Sequence, residues 1–269
     1  MKHAHINKTC LVTGASGGIG GAIAKILGKN GYHVFIQGRD EHKLTKLKST
    51  MSGSCDILLG DLNNPDDRAN MLTLAFENSP IDLLVNAAGL SSFAAFEDAN
   101  PEVTNNLMQT NLITPMLLTQ AFIAKLNGFQ DTQKKQVDVV QVGSAFGYIG
   151  YPGFSSYCAS KFGLRGFTEA LAREYSDTNI RFRYFAPRAT NTSINEERVD
   201  QMNKALGNAV DNVDVVANTF IDFLNSNKRQ QVIGWPEKLF VRINGFIPSL
   251  VDNAIRSKLS VIKGYFKQS

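Results

Sequence analysis

The stretch Cys10-Leu11-Val12-Thr13-Gly14-Ala15-Ser16-Gly17-Gly18-Ile19-Gly20 runs from an apolar triplet, through a glycine-rich turn, into residues 19–27, where apolar side chains return at helical spacing. It predicts a strand, a tight turn and a helix in immediate succession. A helix that starts this way turns free N–H groups and the positive end of its dipole toward the turn, which suits a phosphate. In a β-α-β unit this is where a dinucleotide pyrophosphate lies.

Outward from that turn the same alternation repeats. Apolar strands are expected at residues 10–12, 33–36, 55–59, 81–85, 137–142, 180–185 and 231–233. Helical patterns are expected at 41–50, 65–78, 101–126 and 155–175, the second opened by Pro65 at a first helical position. Strand then helix, repeated, requires right-handed crossovers and a parallel sheet covered on both faces. The predicted fold class is therefore α/β: a Rossmann-type doubly wound parallel sheet of about seven strands. It forms one domain over residues 1–234, with 235–269 as a basic, amphipathic helical C-terminal extension.

Composition narrows the function classes. The 269 residues carry 28 basic and 24 acidic side chains, a net +4, too little to indicate nucleic acid. From Trp235 to Ser269 the six basic residues Lys238, Arg242, Arg256, Lys258, Lys263 and Lys267 face only Glu237 and Asp252, so this tail carries an excess equal to that of the whole chain. No apolar run is long enough to span a bilayer, and the first residues lack a signal-peptide pattern. Cys10, Cys55 and Cys158 fit neither a disulfide framework nor a zinc site, and His3, His5, His33 and His42 have no metal-ligand spacing. The expected compartment is the reducing cytoplasm, with peripheral membrane contact left open by the tail.

Further motifs follow the glycine turn in order. They are Asp61-Leu62 after the third strand, Asn86-Ala87-Ala88-Gly89 after the fourth, Asn111 in the following helix, Ser144 after the fifth strand, and Tyr157 four residues before Lys161. Tyr and Lys at that spacing share a helix face. Together with Thr13, Gly14, Gly18 and Gly20 they resemble the fingerprint of the classical short-chain dehydrogenase/reductases, over about residues 8–235. The resemblance implies hydride transfer between a nicotinamide cofactor and a carbonyl or secondary alcohol. Tyr157 would be the general acid/base, Ser144 would bind the substrate oxygen, Lys161 would hold the nicotinamide ribose and favour the phenolate, and Asn111 would anchor a relay water. Thr13, Gly14, Ser16, Gly18, Ile19, Gly20, Asp61, Leu62, Asn86, Ala87, Ala88, Gly89, Pro187, Thr190 and Thr192 would line the cofactor.

Gln37-Gly38-Arg39-Asp40 follows the second strand. Arg39 suits a 2′-phosphate, so NADP(H) is the expected cofactor; a solvated Arg39 paired with Asp40 or Glu41, or Asp40 on the ribose of NAD(H), is the alternative. The resemblance departs at Pro187-Arg188, where the family has Pro-Gly. Arginine there either reshapes the loop or binds a phosphate or acidic substrate group, and it keeps alive a catalytically weak NADP(H)-binding module acting through a partner. A nucleotide-sugar epimerase on the related extended fold would need a larger substrate lobe.

Phe93, Phe96, Phe146, Tyr148, Tyr151 and Phe154 are expected near the cleft mouth, about half of them as core, and suggest an apolar substrate such as a 3-oxoacyl chain, a steroid or a long-chain aldehyde. Val251, Ile255, Leu259, Ile262 and Phe266 form one apolar stripe in the tail; Phe240, Ile243 and Ile247 form another before Pro248. They would pack on the domain or a partner subunit, or lie on an anionic membrane through residues 236–267; either is compatible with a lid over the cleft. The family resemblance also implies a homodimer or homotetramer.

Overall fold

The computed structural model describes residues 8–129, 135–192 and 194–266; His3, His5 and Lys267 lie outside them. Seven strands form one parallel sheet in the order β3-β2-β1-β4-β5-β6-β7. They are β1 (Lys8–Val12), β2 (Tyr32–Gly38), β3 (Cys55–Leu59), β4 (Leu83–Asn86), β5 (Val137–Val142), β6 (Ile180–Ala186) and β7 (Gln230–Val232).

Alternation along the central strands builds a core on each face of the sheet. Cys10, Val12, Leu83, Val85, Val140 and Val142 point to one side. There they meet Ile23, Ala24 and Leu27 of α1 (Gly18–Lys29) and Val216, Phe220 and Phe223 of α8 (Val213–Leu224). Leu11, Leu84, Val139 and Phe182 point to the other side. Their partners are Met71 and Leu72 of α3 (Pro65–Ala75) and Leu118, Phe122 and Ile123 of α5 (Thr114–Leu126). α2 (Glu41–Ser49) adds Leu44 to the first core. Strands buried on both faces explain their near-continuous apolar sequence.

The chain leaves β1 for β2 on one side and β4 for β5 on the other. The switch point, with its crevice at the strands' C-terminal ends, therefore lies between β1 and β4. The glycine turn and Asn86-Ala87-Ala88-Gly89 end those two strands.

One expected helix is interrupted, and two helices lie where no element was expected. The helix expected over 101–126 is α4 (Pro101–Met108), a π-turn at Gln109–Ile113, and α5. The wider turn admits one extra residue and rotates Asn111 inward, where it is 1% exposed. The polar stretch after residue 192 contains α7 (Glu197–Ala205), and α8 follows it, started by an Asn212 side chain that accepts from the Asp214 amide at 3.0 Å.

Beyond β7 come α9 (Glu237–Phe246), α10 (Pro248–Arg256) and α11 (Leu259–Gly264). Val251 and Ile262 anchor this tail by burial. Ile262, Tyr265 and Phe266 join Val199 and Met202 of α7 in a satellite cluster with Phe93, Phe154 and Cys158.

Candidate active site

Thr13 ties the two crevice turns together. Its hydroxyl accepts from the amides of Ala87 and Ala88 at 3.0 and 3.2 Å. Gly14 has φ +63°, and a methyl group added there would lie 2.5 Å from the Ala88 Cα. Only glycine satisfies both the turn and this approach. A Cβ on Gly18 would lie 2.6 Å from Thr192 Cγ2, so the loop after β6 reaches the start of α1. No side chain caps α1, so its first N–H groups are free for another acceptor. Ser16 packs on Gly38 beside this turn. A bare helix start, two glycine approaches and a converging threonine fit a dinucleotide pyrophosphate.

Beyond β2, Arg39 is largely exposed and lies 3.9 Å from the Asp61 carboxylate. Asp40 is occupied as the cap of α2, accepting from the Lys43 amide at 3.0 Å. That backbone hydrogen bond holds its carboxyl below the usual range. Asp61 also caps its own turn through the Asn63 amide, and Leu62 is buried in the second core. Asn86 turns its side chain inward to Thr119.

The Tyr-Lys pair is on α6 (Ser155–Glu174). Lys161 is 5% exposed and its Nζ lies 5.7 Å from the Tyr157 ring centroid. Burial lowers the ammonium to about 8. Desolvation pushes the Tyr157 phenol up to about 12, opposed in part by a hydrogen bond with Ser144. Lys161 Nζ donates to the Val142 carbonyl at 3.1 Å, and a Cβ on Gly89 would be 3.7 Å from the same nitrogen. The amide of Asn111 is committed: Oδ1 accepts from Leu90 N at 2.7 Å, while Nδ2 donates to the Leu90 carbonyl and to Ser160 Oγ. Ser144 Oγ accepts from the Phe146 amide at 3.1 Å at the end of β5.

Beneath this group, Tyr184 of β6 is a support that sequence reading missed. Its hydroxyl donates to the Lys161 carbonyl at 3.1 Å and accepts from Ser144 N at 3.3 Å. The ring fills the space a side chain on Gly143 or Gly147 would need. Burial raises its phenol far above the ordinary value, so it stays a donor.

Above Tyr157 is an aromatic roof. Phe146 stacks on Tyr151 at 4.9 Å, and Phe154 lies 6.2 Å from Tyr157. Phe93 contacts Phe154 and, across 5.4 Å, Phe266 from the tail. Arg198 of α7 locks the roof by donating to the carbonyls of Phe93 and Phe266. The tail thus joins, through Phe266, the aromatic cluster that includes Tyr157. Of the other aromatics expected at the mouth, Phe96 is 74% exposed, and Tyr148 packs on Tyr184 instead. Cys158 is buried, accepts from Tyr151 N, and has its thiol raised by desolvation, as a packing residue would.

Arg188 is neither strained nor available to an anion. No described residue other than glycine has positive φ. Its guanidinium grips Asp211 with two bonds, 2.9 and 2.7 Å, and Glu237 at 3.1 Å. The bonds to Asp211 raise its pKa, so it remains charged. Thr190 and Asp211 form a parallel bridge beside the clamp, and Pro187 accepts from the Ala145 amide at 2.9 Å. Arginine therefore holds by side-chain bonds the loop that carries Thr192.

Known proteins match this arrangement. The short chain dehydrogenase family profile matches residues 8–203. The 3-oxoacyl-acyl-carrier-protein reductase FabG of Rickettsia felis is 33% identical over 203 residues, covering 76% of this chain and 79% of the relative. Human dehydrogenase/reductase SDR family member 4 is 31% identical over 211 residues, 74% of each chain. A solved short chain dehydrogenase/reductase family protein superposes with TM-score 0.73 at 22% identity, over 86% of this chain and 97% of that one. A dehydrogenase/reductase from Sinorhizobium meliloti 1021 does so with TM-score 0.71 at 21% identity, over 84% and 93%. With the profile covering well over half of the chain, and the ordered motifs meeting in one crevice, the protein belongs to the short-chain dehydrogenase/reductase family and is an oxidoreductase of carbonyl and alcohol groups.

Proposed function

We propose that the protein is an NADP(H)-dependent carbonyl reductase of an apolar, lipid-like substrate, a 3-oxoacyl chain foremost. The observation that carries this reading is the position of Tyr157, between the buried ammonium of Lys161 and the roof of Phe93, Phe146, Phe154 and Phe266. An apolar chain can lie against such a roof while its carbonyl meets the polar floor. The Rickettsia felis relative carries 3-oxoacyl in its name, which supports that substrate class.

A bound nicotinamide dinucleotide supplies the hydride. Gly14, Ser16, Gly18, Ile19 and Gly20 would hold its pyrophosphate, Asp61 and Leu62 its adenine, and Ala87, Ala88, Gly89, Pro187, Thr190 and Thr192 its nicotinamide half. Arg39 would take the 2′-phosphate; the capping role of Asp40 supports NADP(H) over NAD(H). As the carbonyl carbon is reduced, Tyr157 Oη gives its proton to the oxygen, and Ser144 Oγ hydrogen-bonds that oxygen as charge develops. A phenol raised to about 12 is protonated throughout the neutral range and so carries the proton that reduction requires. Lys161 polarises it from behind. Because the Asn111 amide is fully engaged, a relay water would use the main-chain carbonyl that the π-turn removes from the usual helical ladder. The engagement of Arg188 with Asp211 and Glu237 supports the enzyme over a catalytically weak NADP(H)-binding module acting through a partner. A homo-oligomer through α4 to α6 is supported by exposed Val103, Ile113, Leu117 and Phe162.

The test is reduction of a 3-oxoacyl thioester with NADPH by the wild type and by Tyr157→Phe. The variant should lose about 10²–10⁴-fold in kcat while binding NADPH normally by fluorescence titration. Wild-type turnover retained in the variant would refute the role of Tyr157; absence of NADPH binding in the wild type would refute the cofactor.

A further inference from the structure

Helix α9 is attached to the body by its polar side. Glu237 pairs with Arg188, and Asn244 Nδ2 donates to the Tyr148 carbonyl at 2.9 Å. At about 3.6 residues per turn, Val241 shares that side and Leu239, Ile243 and Phe246 share the opposite one. A surface helix ordinarily turns its apolar stripe to the core; here Leu239 and Phe246 face outward, with Ile243 half-buried between them. Phe246 is 87% exposed and Trp235 72%, and Leu239, Phe240, Ile247 and Leu250 are exposed with them.

The charges around this surface are mostly positive. Lys238 and Arg242 run along one flank of α9, four residues apart. With Lys228, Gln230 and Tyr148 they line a groove of about 480 Å³ at the foot of the helix. Neither Lys238 nor Arg242 forms an ion pair among the described residues, nor do Arg256, Lys258 and Lys263 farther along the tail. Glu237 shares Arg188 with Asp211, and Asp252 is the other acid of α9 to α11, so Lys238, Arg242, Arg256, Lys258 and Lys263 outnumber the carboxylates there. A second copy of the chain would bring the same cations to the contact with almost nothing to match them. A surface of lipid phosphates over acyl chains complements both the charge and the aromatic side chains. No described helix is long and apolar enough to cross a membrane, so the contact would be interfacial.

We propose that Trp235 to Leu250 dock the protein on the anionic face of a lipid bilayer, with Trp235, Leu239, Phe246, Ile247 and Leu250 at the headgroup–acyl boundary and Lys228, Lys238 and Arg242 on lipid phosphates. The test is flotation of the full chain with vesicles of phosphatidylcholine, with and without phosphatidylglycerol; it needs no turnover. The protein should float with the anionic vesicles, less with phosphatidylcholine alone, and less again at high salt. Phe246→Asp should weaken partition about tenfold or more, and Lys238→Glu with Arg242→Glu by a similar factor. All three side chains are exposed, so melting temperature and NADPH binding should not change and loss of fold is detected separately. Failure to float with anionic vesicles overturns the proposal. So does flotation indifferent to Phe246→Asp, or a dimer that Phe246→Asp splits on size exclusion without any effect on flotation.

Discussion

Replacing Arg188 with Ala would remove both partners' ligand at once. The Asp211 side chain is 9% exposed and that of Arg188 16%, so the pair is largely withdrawn from water. Breaking a buried pair from one side costs about 3–5 kcal/mol, chiefly because the surviving charge stays desolvated. Some water can reach this clamp once the guanidinium is gone, which sets the expectation at about 3 kcal/mol. For a domain of this size that corresponds to about 6–12 °C in Tm. The cycle with Asp211→Asn separates the causes: the double variant no longer strands the Asp211 carboxylate, leaves only the more exposed Glu237 without its partner, and should regain about half of the loss. The assay is thermal melting of the four proteins, paired with NADPH titration. If Arg188 holds the loop, stability falls first and NADPH affinity follows only through Thr192. An unchanged Tm with a large selective loss of NADPH affinity would refute the clamp and make Arg188 an anion ligand.

Two other outcomes follow from the crevice. Arg39→Ala should weaken NADPH binding about 10-fold or more, the magnitude of a lost charge-assisted contact, and leave NADH nearly unaffected; equal losses in parallel titrations would count against a 2′-phosphate role. In the reductive direction kcat/KM should be level up to about pH 8 and fall above it. Lys161 loses its proton through that range while Tyr157, raised to about 12, retains the one it must donate; a stopped-flow profile that climbs toward pH 10 would contradict this.

The glycine turn, the order of strands and helices, and the meeting of Tyr157 with Lys161 were legible because each rests on local rules: turn chemistry, period-two and period-3.6 burial, and residues four apart on a helix. What was illegible depends on contacts distant in sequence. The partners of Arg188 are 23 and 49 residues away, so its identity as a clamp could not be read beside Pro187. The π-turn at Gln109–Ile113 hardly disturbs the apolar pattern of a continuous helix. An amphipathic pattern reveals a stripe in α9 but not that Asn244 and Glu237 would seat the other side against the body. Helix α8 did carry a signal, an Asn212 cap followed by Val216, Ala217, Phe220 and Phe223 at helical spacing. Phe96 and Tyr148 show the limit of assigning aromatics to a cleft by segment alone.

Tyr184 makes three positions inherit together. Its ring occupies the volume above Gly143 and Gly147, while its hydroxyl bonds on either side to Ser144 N and the Lys161 carbonyl. A lineage that gains a side chain at 143 or 147 must shrink residue 184 in the same step or soon after, and in shrinking it gives up the strut between the end of β5 and the second turn of α6. Drift at these sites is therefore correlated rather than free, and a library that varies them one at a time will sample mostly dead ends.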